Sequence, residues 1–192
     1  YVFLECEAGR YHQNTDFCRV DIQPWRAALG HRRVGRLLVT PFHNPWLPLI
    51  RFDISDLGRV ADPQTCPCGR TRGWILDALE GRARDVTFSP DGRAVTVNQL
   101  DEALSRIPGL RGYQVVQSAP ADFEVQVAVA PDAPAELDAA IRSELATLYG
   151  APLRIRIHRV RRVPPEISAK NRLAKNLMNI DPETLVETHA HV

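Results

Sequence analysis

Lysine is almost missing from this chain: 22 of its 24 basic residues are arginine, and only Lys170 and Lys175 are lysine. Net charge is nearly missing too, with 24 basic against 23 acidic side chains and a formal charge of +1. That excludes a sequence-blind nucleic-acid binder, which needs a surplus of cations to displace counterions from phosphate. No stretch approaches the roughly 18 consecutive apolar residues of a membrane span. No basic-then-apolar leader precedes a small-residue cleavage site. Four cysteines are too few for a disulfide scaffold in a chain of 192 residues. The composition also lacks collagenous, disordered and coiled-coil signatures. These absences predict a cytoplasmic protein with reduced thiols and no nucleic-acid or membrane partner. An initiator methionine is absent as well: the chain opens at Tyr1 on residues that read as strand, the expected look of a piece of something longer.

What is present is enough apolar content, 44% of residues, to bury one ordinary core or two small ones. Residues 1–60 alternate apolar runs with breakers, and Phe17–Ile22, Val34–Thr40 and Leu47–Phe52 read as strands. A Pro/Gly/Cys loop follows at residues 61–73. Asp91-Gly92 between Asp85–Phe88 and Arg93–Val97 is a strong hairpin signal. Asn98 is placed to cap a helix through Arg106, and Asp132 to precede a helix over 135–149 that Gly150 ends. Strands are expected at Tyr113–Gln117, Phe123–Ala130 and Leu153–Val160. The expectation is an α+β chain: a β-rich part over 1–81, then a module over 82–192 with helices on an antiparallel sheet.

Four constellations could carry chemistry. Cys66-Pro-Cys68-Gly is a tight thiol pair on a turn, and Cys6 is followed by His12. Two such pairs meeting in space would suit zinc, while reduced structural cysteines fit the same residues. Cys18 sits in an alternating strand and reads as a small buried hydrophobe, with a reserve role as ligand. Asp56 ends an apolar run before Gly58, so it serves either a ribose hydroxyl pair or a turn. Glu80-Gly81-Arg82-Ala83-Arg84-Asp85 is a charged hinge candidate or a plain linker. Finally, Pro164-Pro165 leads to Lys170, whose ammonium is suited to negative charge building on phosphate or carboxylate oxygens. His31, His43 and His158 have no companion ligands at useful spacing, and His189 and His191 read as a terminal tail.

In this order the segments resemble the C-terminal portion of the adenylate-forming ligases, in their phenylacetate-CoA ligase-like branch. CEAGRYHQNTD is similar to a Cys-His-Asp segment of that branch through Cys6, His12 and Asp16. VGRLLVTPFHNPWLPLIRFDISDLGR resembles its G-E-L-V-x-T…P-x-I-R-Y-x-x-x-D-L pattern, CPCGRT its branch-specific loop, EGRARD its hinge, and VPPEISAKNR its P-R-x-x-S-G-K-x-x-R. The resemblance implies that residues 1–81 close an AMP-binding core and that 82–192 form a mobile lid. It implies that Asp56 binds the ribose of ATP, that Arg82 lies beside the nucleotide, and that Lys170 bridges the acyl carboxylate and the α-phosphate. Cys6, His12, Cys66 and Cys68 would hold a structural Zn2+. The implied reaction takes a small carboxylic acid, aromatic acids included, with ATP and Mg2+ to an acyl-AMP and then to a coenzyme A thioester. The implied alternatives are a carrier thiol or an amine as acceptor, or a non-catalytic zinc-stabilised interaction module. The family's phosphate loop and its Tyr-Gly-x-x-Glu segment would precede Tyr1, so the N-terminal part of the same protein is an expected partner. Departures from the pattern are Ala169 for glycine, Pro164-Pro165 for Pro-Arg, Arg84 at the hinge acid and Asp53 where a basic residue is common.

Overall fold

The computed structural model describes residues 1–25, 33–163, 172–178 and 180. They divide into two compact units, one within Tyr1–Ala83 and the other within Arg84–Asp181. The first is a sheet of six strands: β1 (Phe3–Glu5), β2 (Tyr11–Gln13), β3 (Cys18–Pro24), β4 (Val34–Pro41), β5 (Phe52–Val60) and β6 (Ile75–Arg82). Their order is β1-β2-β6-β5-β4-β3, with every pairing antiparallel. Strands β3 to β6 form a meander, and the N-terminal hairpin adds to its far side through β2. Alternation in β3 buries Cys18 and Val20 against Leu37, Val39 and Leu76 while Arg19 faces water. Central β4 is buried from Val34 to Val39, matching its near-continuous apolar run, and its one cation, Arg36, is paired with Asp53.

The strand expected over Leu47–Phe52 is corrected. Residues 42–51 form exposed turns, and β5 begins only at Phe52. Pro45 and Pro48 cannot donate to a ladder, and Asn44 Oδ1 instead accepts from the Leu47 amide at 3.2 Å. Within β5, Ser55 takes a φ of 64°, held by its amide donating to Asp53 Oδ1 at 2.7 Å. The ladder to β4 shifts register between Arg36 and Leu38, so β5 bulges over Ile54, Ser55 and Asp56.

A 3-10 turn at Ala83–Asp85 leads from the first unit into the second. The second unit continues through β7 (Thr87–Phe88), β8 (Ala94–Val95), α1 (Val97–Leu104), β9 (Leu110–Ala119), β10 (Asp122–Val129), α2 (Leu137–Tyr149), β11 (Arg154–Val160) and β12 (Ala174–Asn176). The β7–β8 hairpin closes where Asp91-Gly92 marks it, with Gly92 at φ 85°. The main sheet runs β11-β10-β9-β12. It is mixed, which corrects the antiparallel expectation: β9 and β10 are antiparallel, but β10–β11 and β9–β12 are parallel. The physical reason is the crossover: α2 carries the chain back along the sheet before β11 starts, and a returning chain pairs parallel. Leu100 and Leu104 of α1 and Leu137, Ile141, Leu145 and Tyr149 of α2 bury against Val115, Phe123 and Val125 of the sheet.

Helix caps differ from the sequence expectation. Thr96, not Asn98, caps α1: its hydroxyl accepts from the Gln99 amide while the Gln99 side chain returns to the Thr96 amide, a full capping box. Asn98 donates to Glu102 at 2.9 Å instead. Glu136 rather than Asp132 stands at the N-cap of α2, with no side-chain bond, and Gly150 ends that helix at φ 66°. No helix among the described residues is long and apolar enough to cross a membrane.

Candidate metal centre and nucleotide face

Cys6, His12, Cys66 and Cys68 converge, with their ligand atoms all within 4.8 Å of one another. Each comes from a different local device. Cys6 follows β1 in a tight turn closed by the Gly9 amide on the Cys6 carbonyl at 2.9 Å. His12 sits buried in the middle of β2 opposite Ile75 of β6. Cys66 and Cys68 ride a turn whose Gly69, at φ 79°, donates back to the Cys66 carbonyl. Gln64 fixes that loop to the sheet: its amide nitrogen donates to the Ala61 and Ile75 carbonyls, and its oxygen accepts from the Ile75 amide at 2.9 Å. The Arg10 guanidinium bonds the Thr65 carbonyl and pairs with Asp77 at 3.3 Å.

The distances suit a tetrahedron. Zn–S bonds of about 2.3 Å give S···S edges of about 3.8 Å, and S···N edges of about 3.6 Å. Cys6 and Cys66 sulfurs lie 3.7 Å apart, and Cys68 Sγ lies 3.3 Å from His12 Nε2. The electrostatics agree. Desolvation would raise the Cys6 thiol, but hydrogen bonds from the Arg10 and Ala8 backbone and the adjacent Cys66 and Cys68 hold it below its usual range. Burial, followed by the positive field of Arg70, lowers His12 and keeps the imidazole neutral, the form that ligates a metal. For Cys66 the Cys68 amide favours the thiolate, yet desolvation and the neighbouring thiols push it up. A dication among these sulfurs would remove that conflict. His12 Nδ1 is buried with no hydrogen-bond partner among the described residues, so Nε2 is the ring atom committed to the cluster. Three thiolates and one imidazole with no open position make a structural rather than a catalytic donor set. Cys18 stays outside it, fully buried in the first core, where burial raises its thiol.

Asp56 and Arg82 also meet. They are cross-strand partners of β5 and β6, and Arg82 Nε lies 3.6 Å from Asp56 Oδ1. Both side chains remain two-fifths or more exposed. Asp56 therefore lies inside β5, within the bulge that Ser55 begins to turn, rather than at a strand exit. Beside them Arg59 pairs with the buried Glu80 at 3.4 Å. The alternation of β6 points Glu80 inward, a partnership that no motif in the sequence announced. Gln64 is a second residue that sequence reasoning missed, since a lone glutamine in a loop carries no signal until its two-sided bonding is seen.

Lys170 and its neighbours Pro164, Pro165 and Ala169 lie outside the described residues, as do His31, His189 and His191. Lys175 is in β12. Arg84 pairs with Asp85 at 3.7 Å, and Asp85 is also bonded by Arg172. His43 contacts the Asp16 carbonyl at 3.1 Å.

No family model and no curated sequence matches the chain. Among solved structures, 2-hydroxyisobutyryl-CoA ligase in the postadenylation state with 2-HIB-AMP matches with a TM-score of 0.66 at 17% identity, over 95% of this chain and 40% of that one. The fold is one that adenylate-forming ligases share. The adenylation domain of a carboxylate reductase from Mycobacterium chelonae matches at 0.51 and 13% identity, over 82% of this chain and 28% of its own. The fatty acyl-adenylate ligases from E. coli and L. pneumophila match at 0.50 and 16%, over 79% and 29%. This chain thus spans 40% of the length of the 2-hydroxyisobutyryl-CoA ligase.

Proposed function

We propose that the chain is the C-terminal portion of an ATP-dependent carboxylic acid-CoA ligase of the phenylacetate-CoA ligase-like kind. In this reading residues 1–81 close the AMP-binding core, residues 82–192 form its lid, and the protein works in the cytoplasm, where its thiols stay reduced. The observation that carries the reading is the Asp56–Arg82 pair: a carboxylate and a guanidinium set side by side on an accessible face, within a fold that adenylating enzymes share. Asp56 accepts hydrogen bonds from the vicinal ribose hydroxyls, which a carboxylate suits because both its oxygens only accept. Arg82 orients Asp56 and adds positive charge toward the nucleotide phosphates. Lys170 supplies an ammonium for the negative charge of the acid's carboxylate and the α-phosphate, and Mg2+ would supply further charge neutralisation for the diphosphate. The carboxylate oxygen attacks the α-phosphorus and diphosphate leaves. The thiol of coenzyme A then attacks the acyl carbon and AMP leaves. Positioning and charge neutralisation supply most of the acceleration. Cys6, His12, Cys66 and Cys68 hold a Zn2+ whose contribution is to the stability of the β-rich unit.

The test is acid-dependent exchange of labelled diphosphate into ATP, measured on the complete protein that contains this chain. Asp56→Ala and Lys170→Ala should each lower exchange by two orders of magnitude or more, on the scale of losing one preorganised charge contact. Exchange at the wild-type rate in both variants defeats the assignment. Product formed without coenzyme A, in the presence of an amine or carrier thiol, would move the acceptor while leaving adenylation in place.

A further inference from the structure

Beside the Cys/His cluster lies a cavity of about 360 Å3 whose walls include His12, Thr15, Gly69, Arg70, Thr71 and Arg72. Its character differs from the rest of the unit. Every other described arginine of the first unit has a carboxylate within 4 Å: Arg10, Arg19, Arg33, Arg36, Arg51, Arg59, Arg70 and Arg82. Arg72 has none among the described residues. Arg70 has only the exposed Glu7, at 3.7 Å. No acidic residue lines the cavity, whose polar wall is completed by Gln13 and the hydroxyls of Thr15 and Thr71. Two guanidinium forks with no carboxylate between them, beside two hydroxyls able to donate, suit an anion with several acceptor oxygens.

The backbone holds this arrangement open. Gly69 and Gly73 flank the Arg-Thr-Arg run, both at positive φ, 79° and 72°. A side chain at Gly73 would stand 2.6 Å from Thr15 Cγ2, so the loop presses directly onto the β2–β3 turn that contributes Thr15. Trp74 continues the clamp, its amide donating to Gln13 Oε1 at 3.1 Å. The other end is fixed by Cys66 and Cys68. The two arginines therefore project from a loop anchored on both sides, which lowers the entropic cost of holding them for a ligand.

We propose that this cavity binds a phosphate group, either free or as the terminus of a larger anion. Planar guanidinium forks match tetrahedral oxyanion geometry, and because residues 69–72 are exposed, an organic group attached to the phosphate can extend into solvent. The competing role for the same arginines is to balance the single net negative charge of a zinc ion held by three thiolates, which needs no ligand.

The experiment uses the zinc-loaded 192-residue chain at low ionic strength in phosphate-free buffer. Inorganic phosphate and methyl phosphate are titrated calorimetrically, and the backbone amides are followed by NMR. Saturable binding of one equivalent is expected, with shifts centred on residues 69–72 and Thr15. Arg72→Ala and Arg70→Ala should each weaken it about tenfold or more, Arg72→Lys less, and Arg106→Ala on the second unit not at all. Tighter binding of methyl phosphate than of inorganic phosphate assigns the site to an organic phosphate, and the reverse order to the free ion. Zinc content, measured in each variant, keeps loss of the fold apart from loss of the ligand. The proposal is overturned if neither anion saturates the wild-type protein, if the shifts fall elsewhere, or if the double Arg70/Arg72 variant binds as wild type. Zinc loss from Arg72→Ala without phosphate binding by wild type would assign the charge-balancing role instead. The outcome does not depend on whether the chain belongs to an adenylating enzyme.

Discussion

Gln117 shows how much one side chain can stabilise. It is fully buried in β9 and imitates a strand partner: the Phe88 amide donates to its Oε1 at 2.8 Å, and its Nε2 donates to the Phe88 carbonyl at 2.6 Å. Gln117→Leu has a similar volume but leaves both backbone groups of β7 buried without partners. A loss of about 2–4 kcal/mol is expected from two stranded polar groups, read as a fall in the urea midpoint. Glycines give a graded pair. A methyl at Gly35 would stand 2.7 Å from the Gln23 backbone carbonyl, whereas at Gly58 it would meet only the side-chain ends of Leu76 and Leu37 at 2.9 and 3.0 Å. Gly35→Ala should therefore cost about 2–3 kcal/mol and Gly58→Ala about 1 kcal/mol, because side-chain ends rotate and a strand carbonyl does not. Equal losses in chemical denaturation would show that the β3–β4 backbone yields more easily than its pairing implies.

Between strands, β10 and β11 are joined by two neighbouring ion pairs at the start of their ladder, Arg154 with Asp122 and Arg156 with Glu124, partners in the parallel register. The hydrogen bond from Arg154 holds Asp122 below the usual carboxylate range. A depressed folded value means the pair's stabilisation is present above the unfolded Asp pKa of about 3.9 and is lost as pH falls through the folded one. Asp122→Asn should be less stable than wild type at neutral pH, and the difference should shrink steadily below about pH 4. A gap that stays constant to pH 2 would mean the carboxylate's charge contributes nothing. At this scale the sequence was legible wherever one local rule dominated. Asp91-Gly92 specified its hairpin, Gly150 ended α2, and alternation exposed β3, β10 and β11. It failed where distant pairing decided the outcome: β6 and the three-residue β12 carry no boundary of their own, and the parallel β10–β11 pairing follows from the α2 crossover. The apolar run at 47–52 looked like a strand because hydrophobicity was counted and missing proline donors were not. Of the candidate site, the four cluster residues, Asp56 and Arg82 were named through the family resemblance, while residue type and spacing alone left the thiols, a turn and a linker as open readings. Gln64, Glu80 and the Arg70–Arg72 cavity could not, since each is defined by its partners in space.

At the scale of the molecule, the Cys/His cluster belongs to one unit and the larger apolar core to the other. Zinc binding adds directly to the free energy of whatever structure forms its site. Stoichiometric zinc is expected in freshly purified protein, and a strong chelator should lower the melting transition of the β-rich unit while leaving that of the helical unit in place. A single transition, unmoved by chelation, would remove the structural role of Cys6, His12, Cys66 and Cys68. Because protons compete for the thiolates, the chelator should act faster as pH falls. The strand order β1-β2-β6 adds a kinetic consequence. Strands β3 to β6 are neighbours in sequence and can assemble as hairpins, whereas Cys6 must find Cys66 across a separation of sixty residues. Closing that distance costs chain entropy before any contact compensates it. Closure of the Cys/His cluster is therefore expected late in the folding of the first unit, and in a nascent chain β2 has no β6 to pair with until residues 75 and 76 have been synthesised.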